Sequence, residues 1–330
     1  MRSIKIAVVA ALVVGTPALA ADFPEAPDLR PAFGEMFSDS GQGPVRFEFG
    51  TRYWYSWGKQ EAGFTAPGIG DVNLAVDDRT HIGELHGKIT DLSTQTYVNA
   101  IAGLGFSTSG TYNIAPASSG NIGPNSSIGY AGADFGWLPF GNMDGGVAIG
   151  GLVGYQYWKD APDIGQGTYA ASFDAGGNPA SYGTAKDDFD IHALRLGVKM
   201  QADLSDQFDV QAEVAAVPYA WVTGSLGGSG SSPFMFPALG GAKVYERAPT
   251  TLSGHGYGAM GELMFGFHPT ENLTLRLGGR AWYVQGDLEA NFKSNTVVGP
   301  AVIQNADMNL KSNYARIFRY GALFELTGRF

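Results

Sequence analysis

Residues 45 to 57 read VRFEFGTRYWYSW, with Val45, Phe47, Phe49, Tyr53, Tyr55 and Trp57 alternating against Arg46, Glu48, Arg52 and Ser56. A period of two with an aromatic excess predicts a strand whose two faces meet different surroundings. The pattern returns along the chain. Val98, Ala100, Ala102, Leu104 and Phe106 share a face, as do Val147, Ile149, Val153, Tyr155 and Tyr157. Leu194, Leu196, Val198, Met200, Ala202 and Leu204 oppose Arg195, Lys199 and Gln201. Phe208, Val210, Ala212, Val214 and Ala216 oppose Asp209, Gln211 and Glu213. Leu273, Leu275, Leu277, Ala281 and Tyr283 oppose Thr274, Arg276, Arg280 and Trp282. Weaker strands are predicted at 80–91 with Leu85 and Ile89, at 128–138 with Ala131, Ala133, Phe135 and Trp137, and at 255–267 with Tyr257, Leu263, Phe265 and Phe267. The last, from about 313 to 330, sets Tyr320, Phe324, Leu326 and Phe330 against Arg319 and Glu325. That makes ten strands.

Charges at alternate places are hard to bury in the core of a secreted β-sandwich, the soluble alternative. In a membrane barrel they are expected: the apolar face meets acyl chains and the charged face lines a polar lumen. The connections alternate in length as well. Short links fall at 90–95, 138–145, 204–207 and 268–272, and long links rich in Gly, Ser, Asn and Pro at 58–73, 107–126, 159–187, 224–253 and 286–312. The predicted fold is all-β: a transmembrane antiparallel up-and-down barrel of about ten strands, with long extracellular loops and short periplasmic turns. An even strand count puts both termini on the periplasmic side.

On this parity the lumen receives a candidate charge network of Arg46, Glu48, Arg52, Glu84, Lys88, Arg195, Lys199, Glu213, Glu262, Arg276, Arg280, Arg319 and Glu325, together with His86 and Gln211. Both signs are mixed, and an eight-stranded barrel is already filled by its side chains, so a salt-bridged plug is the plain expectation. A narrow channel favouring anions, with Arg276 and Arg280 beside Arg195 and Lys199, is the alternative.

Composition supports a membrane barrel. Gly numbers 48, aromatics reach 12% and charged residues only 16%, against about 25% charged in ordinary soluble domains. The start, MRSIKIAVVAALVVGTPALAAD, has Arg2 and Lys5 before an apolar run and a small-residue site at Ala18-Leu19-Ala20, which is the three-part pattern of a secretory signal peptide. Residues 1–20 are expected to be removed on export. Residues 21–43, with Pro24, Pro27 and Pro31, are expected to form a periplasmic leader, and 44–330 the barrel. Losing Arg2 and Lys5 takes the formal charge from −10 to −12, which argues against a nucleic-acid partner. The absence of cysteine excludes a disulfide framework and thiolate chemistry.

Little else suggests chemistry. Asp190-Ile191-His192 places an acid and an imidazole on one strand face, half of many hydrolytic sites, but parity from Leu194 turns both outward. His81 and His86 fall on opposite faces, His255 opens a strand and His268 lies in a predicted turn, so no metal-ligand spacing arises. GYGAMG at 256–261 matches G-x-G-x-x-G but precedes a strand, not the helix that dinucleotide binding requires. No cofactor or metal is expected. Two aromatic belts are: Trp54, Tyr55, Trp57, Tyr155, Tyr157, Trp158, Tyr219, Trp221, Trp282 and Tyr283 towards the long loops, and Trp137, Phe140, Phe265, Phe267 and Phe330 towards the short turns.

The runs GLVGYQYWKD, HALRLGVKMQADLSDQFDVQAEVAAVPYAWVTG, GYGAMGELMFGFHPTENLTLRLGGRAWYVQGDLEANF and the terminal RYGALFELTGRF resemble the ten-stranded omptin barrels of Gram-negative outer membranes. ADFPEAPDLRP, residues 21–31, is similar to the mature start of alphaproteobacterial outer-membrane proteins. The resemblance implies an omptin-like scaffold in the cell outer membrane, with outer-membrane lipid and lipopolysaccharide as surroundings. The final Phe330 looks like the assembly signal that such proteins present to the barrel-assembly machinery. Omptins are proteases with an acidic pair after the third strand and an Asp/His pair after the seventh. The corresponding stretches here, STSGTYNIAPASSGNIGPNSS and TGSLGGSGSSPFMFPALGG, hold no Asp, Glu or His. The expectation is therefore a non-catalytic barrel with a structural or surface-interaction role towards an extracellular ligand or a neighbouring surface protein, with the narrow channel and the omptin-type protease as alternatives.

Overall fold

A computed structural model describes residues 43–66, 70–115, 118–165, 167–226, 234–236, 242–298, 302–305 and 307–330. The expected signal peptide and all but the last residue of the expected leader lie outside these.

Ten long strands form the wall: β1 Val45–Ala66, β2 Gly70–Asp91, β3 Thr96–Ala115, β4 Ser127–Gly141, β5 Val147–Ala161, β6 Asp188–Ser205, β7 Phe208–Leu226, β8 Thr250–Thr270, β9 Leu273–Phe292 and β10 Met308–Arg329. Each pairs antiparallel with its sequence neighbours, and β10 returns to β1 with Glu48 opposite Arg329 and Tyr53 opposite Phe324. The sheet therefore closes and the ten strands have no free edge. A stacked pair of open sheets, the soluble alternative, is excluded by this closure.

The distribution of side chains is the inverse of a soluble protein. Phe49, Leu104, Val214, Leu277 and Phe324 point out and are about half exposed or more, while Glu84, Arg319 and Glu325 point in and are at most 2% exposed. Leu194 and Leu196 face out on β6 and Arg195 between them faces in. The alternation carries straight through most strands. On β7 the register shifts between Val217 and Ala220, beside Pro218, which has no N–H to give to a ladder. Beyond this bulge Tyr219 and Trp221 face out and Ala220 and Val222 face in.

Strands extend further than the alternation suggests. Residues 58–73 and 107–126, expected as loops, are largely strand: β1 and β2 pair up to Ala66 opposite Gly70, and β3 continues to Ala115. About 9–11 residues suffice to cross a bilayer, so strands of 20 to 22 residues project beyond it at the long-loop end. There the backbone ladder persists without needing an apolar outer face, and Lys59, Glu61, Asp77 and Arg79 occupy that part of the wall. The link 159–187 holds a hairpin, Gly167–Phe173 with Pro179–Ala185. The links 224–253 and 286–312 are joined by pairing of Ala242–Glu246 with Ser294–Val298, in a small sheet that Phe234–Phe236 and Val302–Asn305 flank. At the other end Phe330 exchanges backbone hydrogen bonds with Phe47, at 2.8 and 3.1 Å, and its ring stands 81% exposed on the short-turn rim.

Candidate functional site

Register decides which inward side chains meet. At one level of the wall Glu84, Arg52, Glu325, Arg276, Gly266 and Asp209 are successive cross-strand neighbours. Opposite charges directly across strands attract. Arg52 donates through Nε to Glu325 Oε2 at 2.5 Å and through Nη1 to Glu84 Oε1 at 3.0 Å. Arg276 Nη1 donates to Glu325 Oε1 at 2.6 Å, and its Nε and Nη2 reach Asp209 at 3.2 Å each. That reach passes over Gly266, where a Cβ would stand 2.2 Å from Asp209 Oδ2. A second row runs Lys199, Glu213, Glu262, Arg280. Arg280 Nε donates to Glu262 Oε2 at 2.7 Å, and its Nη1 crosses the lumen to Glu84 Oε2 at 2.6 Å. Elsewhere Arg195 Nη1 meets both oxygens of Asp134, at 2.8 and 2.9 Å, and Nη2 meets Glu213.

Towards the long loops, Arg319 donates to both oxygens of Asp78 at 2.9 and 2.7 Å and to Ser56 Oγ at 3.0 Å. Gly58, between Arg319 and Asp78 in the register, leaves the space: a Cβ there would lie 2.1 Å from Asp78 Oδ2. Trp54, Trp282 and Tyr130 form a collar, with ring centroids 4.8 Å apart for Trp54–Trp282 and Tyr130–Trp282, and Trp158 adds an edge contact at 5.5 Å. The Arg280 guanidinium carbon sits 5.2 Å from the Trp54 ring and 5.3 Å from that of Trp282, which is cation–π range. Beyond the collar the lumen turns apolar, with Phe64, Val76, Phe189, Ile191, Val222 and Val284 buried in one cluster. The interior is thus a stack of ionic rows, an aromatic collar and an apolar layer, and the cavity left among the ionic rows is about 30 Å³.

Most sequence-expected lumen residues lie here. Glu48, Arg52, Glu84, Lys88, Arg195, Lys199, Glu213, Glu262, Arg276, Arg280, Arg319 and Glu325 all face inward, and His86 joins them through Thr327 Oγ1 at 2.9 Å. Arg46 is the exception. It lies half-buried at the short-turn rim and pairs with the exposed Asp144, because β1 has reached the mouth of the barrel at that residue. Three belt residues also differ: Trp54, Trp158 and Trp282 are at most 3% exposed and fill the lumen. Each stands beside a tyrosine that takes the outer face, Tyr55, Tyr157 and Tyr283, so parity assigns the tryptophan inward. His268 is part of β8, with Nε2 2.6 Å from Asp209 Oδ2.

The carboxylates Asp78, Asp134, Asp160 and Asp209 complete the network and are missing from the expected set. Asp209 and Asp134 were readable from parity against Phe208 and Phe135. Asp78 lies just ahead of the expected strand 80–91 and Asp160 in the expected link 159–187, and both belong to strands that run further than the alternation predicts. Asp190 and His192 point outward, Asp190 bonded to Tyr157 and His192 2.6 Å from the Tyr155 hydroxyl.

No family model and no curated protein matches the sequence. Among solved structures, the chain is similar to the outer membrane protease OmpT from Escherichia coli, with a TM-score of 0.56 and 9% identity over 87% of this chain and 97% of that one. The chain has the fold of an outer-membrane β-barrel. The translocator domain of the autotransporter NalP from Neisseria meningitidis is also similar, at a TM-score of 0.33 and 10% identity over 88% of this chain and 92% of that one. A Pseudomonas aeruginosa FadL homologue gives 0.26 and 7%, over 87% and 90%.

Proposed function

We propose that this protein is an integral barrel of the bacterial outer membrane with a closed lumen, serving a structural or surface-interaction role without catalysis. The observation that carries the reading is the cross-barrel network: Arg280 to Glu84, Arg276 to Asp209 and Arg319 to Asp78 tie the wall across its interior, and the cavity among the ionic rows is about 30 Å³. Moving a solute along the axis would break several buried ion pairs, each costing about 3–5 kcal/mol when one partner is lost. The apolar outer face supports solvation by acyl chains. Lys59, Glu61, Tyr283, Arg316 and Phe318 border an outer-wall groove of about 350 Å³ at the long-loop end, where Glu61 pairs with both cations and the aromatic rings suit the acyl chains of lipopolysaccharide. Phe330, exposed at the short-turn rim, is the group we assign to recognition by the assembly machinery. The joined long loops supply the surface for an extracellular partner.

Planar-bilayer recording tests the reading. The refolded protein is expected to be electrically silent, and stepwise conductance altered by Arg276→Ala would replace the plug with a channel. Incubation with basic peptides in the presence of lipopolysaccharide is expected to leave them intact; cleavage lost in His192→Ala would establish the protease instead.

A further inference from the structure

Two buried carboxylates share one guanidinium at the long-loop end of the lumen. Arg319, 1% exposed, donates through Nη1 and Nη2 to Asp78 Oδ1 and Oδ2 at 2.9 and 2.7 Å, and its Nη2 also reaches Asp160 Oδ2 at 3.5 Å. Asp78 accepts from the Thr80 hydroxyl as well, at 2.6 Å. The Asp160 carboxylate, 3% exposed, accepts only the long contact from Arg319 among the described residues. No other cation meets the pair. Across the strands Asp160 faces Ile128 on β4 and Phe189 on β6, and Asp78 faces Gly58 on β1 and Gly110 on β3. Trp158 precedes Asp160 by two residues, with its ring 5.9 Å from the Arg319 guanidinium carbon, and Ser56 accepts from Arg319. Arg79 and Lys159, next to the two acids in sequence, face outward, and Lys159 pairs there with Asp188 and Asp190. Arg280, among the ionic rows, is committed to Glu84 and Glu262. Asp187, two residues ahead of Phe189, is a further buried acid on that side. Two acids therefore stand on one cation, and an ionised carboxylate left over in a low-dielectric interior is resolved most cheaply by neutralisation.

We propose that Asp78 and Asp160 hold one proton between them on Arg319, which makes this cluster a buried proton-binding site. Asp160 carries the proton, because Asp78 keeps the two short guanidinium contacts and the Thr80 hydroxyl. Uptake leaves Asp78 and Arg319 as a neutral pair and Asp160 as an uncharged acid. A metal ion does not fit the ligand set, since no group of three His, Asp or Glu able to hold one gathers among the described residues. The cluster lies beyond the apolar belt: Asp77 and Arg79 are exposed on the outer wall either side of Asp78, and Lys159 with Asp188 does the same beside Asp160. Burial pushes the Asp160 carboxyl up from its ordinary value, Arg319 pulls it down, and the Asp78 charge pushes it up again. A carboxyl raised on folding contributes stability that is fully present below its unfolded value of about 4 and is lost as pH rises through the raised one. The barrel thus gains from mild acid at this one point.

Infrared difference spectra of the refolded full chain, titrated between about pH 5 and pH 8 where ordinary carboxyls are already ionised, test the site. One protonated-carboxyl C=O stretch is expected in the wild type at the acid end. It should be lost in Asp160→Asn, and also in Asp78→Asn, where Arg319 is free to pair with Asp160 alone, but kept in Asp187→Asn. In urea, Asp160→Asn is expected to unfold at a higher concentration than the wild type at about pH 8, with the gap closing towards about pH 4; groups titrating in both proteins cancel from the comparison. A wild type without the band, a band that survives Asp160→Asn, or an Asp160→Asn barrel less stable than the wild type at the alkaline end overturns the proposal. The site requires only that the three side chains be buried. A conducting barrel that keeps the proton sinks the plug alone, and a silent barrel without it sinks the proton site alone.

Discussion

Arg280 on β9 donates to Glu84 on β2 at 2.6 Å, across 196 residues of sequence and the width of the lumen. The two strands are not neighbours in the wall, since β1 and β10 stand between them. Such contacts turn a cylindrical sheet into a filled body, and most of the expected behaviour of this protein follows from them.

Glu325 is fully buried and accepts from both Arg52 and Arg276. Glu325→Gln is expected to destabilise the barrel by about 3–5 kcal/mol, because two desolvated guanidinium groups lose a shared charge. Arg46→Ala, at the exposed rim pair with Asp144, is expected to cost at most about 1 kcal/mol. Urea unfolding into and out of lipid vesicles measures both, and equal effects would contradict the burial argument.

Gly58 leaves the gap through which Arg319 holds Asp78. Gly58→Ala would bring a methyl group to 2.1 Å from Asp78 Oδ2, and is expected to cost about 1–3 kcal/mol, the range of overpacking. Gly83 has nothing within 4 Å of its would-be Cβ, so Gly83→Ala serves as the control in the same unfolding measurement and should lie near wild type.

Trp282 touches Trp54, Tyr130 and Trp158 and is 3% exposed. Trp282→Ala is expected to lose about 3–5 kcal/mol through the cavity it leaves. Its neighbour Tyr283 points outward, so Tyr283→Phe should be mild. Tryptophan fluorescence during refolding reports the collar, and a wild-type emission maximum in Trp282→Ala would show that the ring is not part of it.

Leu277 is 63% exposed on the outer face. Leu277→Arg is expected to cost about 2–4 kcal/mol if it sits near the bilayer midplane, measured by folding into vesicles. An unchanged stability would place that face in water and remove the membrane reading.

In the extracellular hairpin, Asp174 accepts backbone hydrogen bonds from Asn178 and Gly176, which hold its carboxyl below the ordinary aspartate value, Asn178 contributing most. A depressed carboxyl stabilises above its unfolded pKa, and the contribution is lost as pH falls through the lowered value. Amide exchange at Gly176 and Asn178 is therefore expected to stay slow at neutral pH and to accelerate, relative to its intrinsic rate, only below about pH 4. Acceleration already at pH 6 would assign the protection to another group.

The period-two pattern determined the architecture by itself. Leu194, Arg195 and Leu196 can satisfy opposite surroundings only as a strand with lipid on one side and a polar interior on the other, and ten such segments with alternating short and long links leave little but a closed barrel. Parity also carried most of the interior residues. It failed where the outer face ceases to be apolar: β1 and β2 run on to Ala66 and Gly70 because backbone pairing outside the bilayer needs no alternation, so Asp78, just ahead of the expected strand 80–91, and Asp160, in the expected link 159–187, belong to strands the pattern does not reach. Pairing was beyond the sequence altogether. Closure and register decide that Arg280 faces Glu84, that Gly58 opens a path from Arg319 to Asp78, and that Lys88 and Lys199 both come to lie against the Tyr97 ring. One strand specifies which side a residue faces, and the curvature of the whole sheet specifies what it meets there.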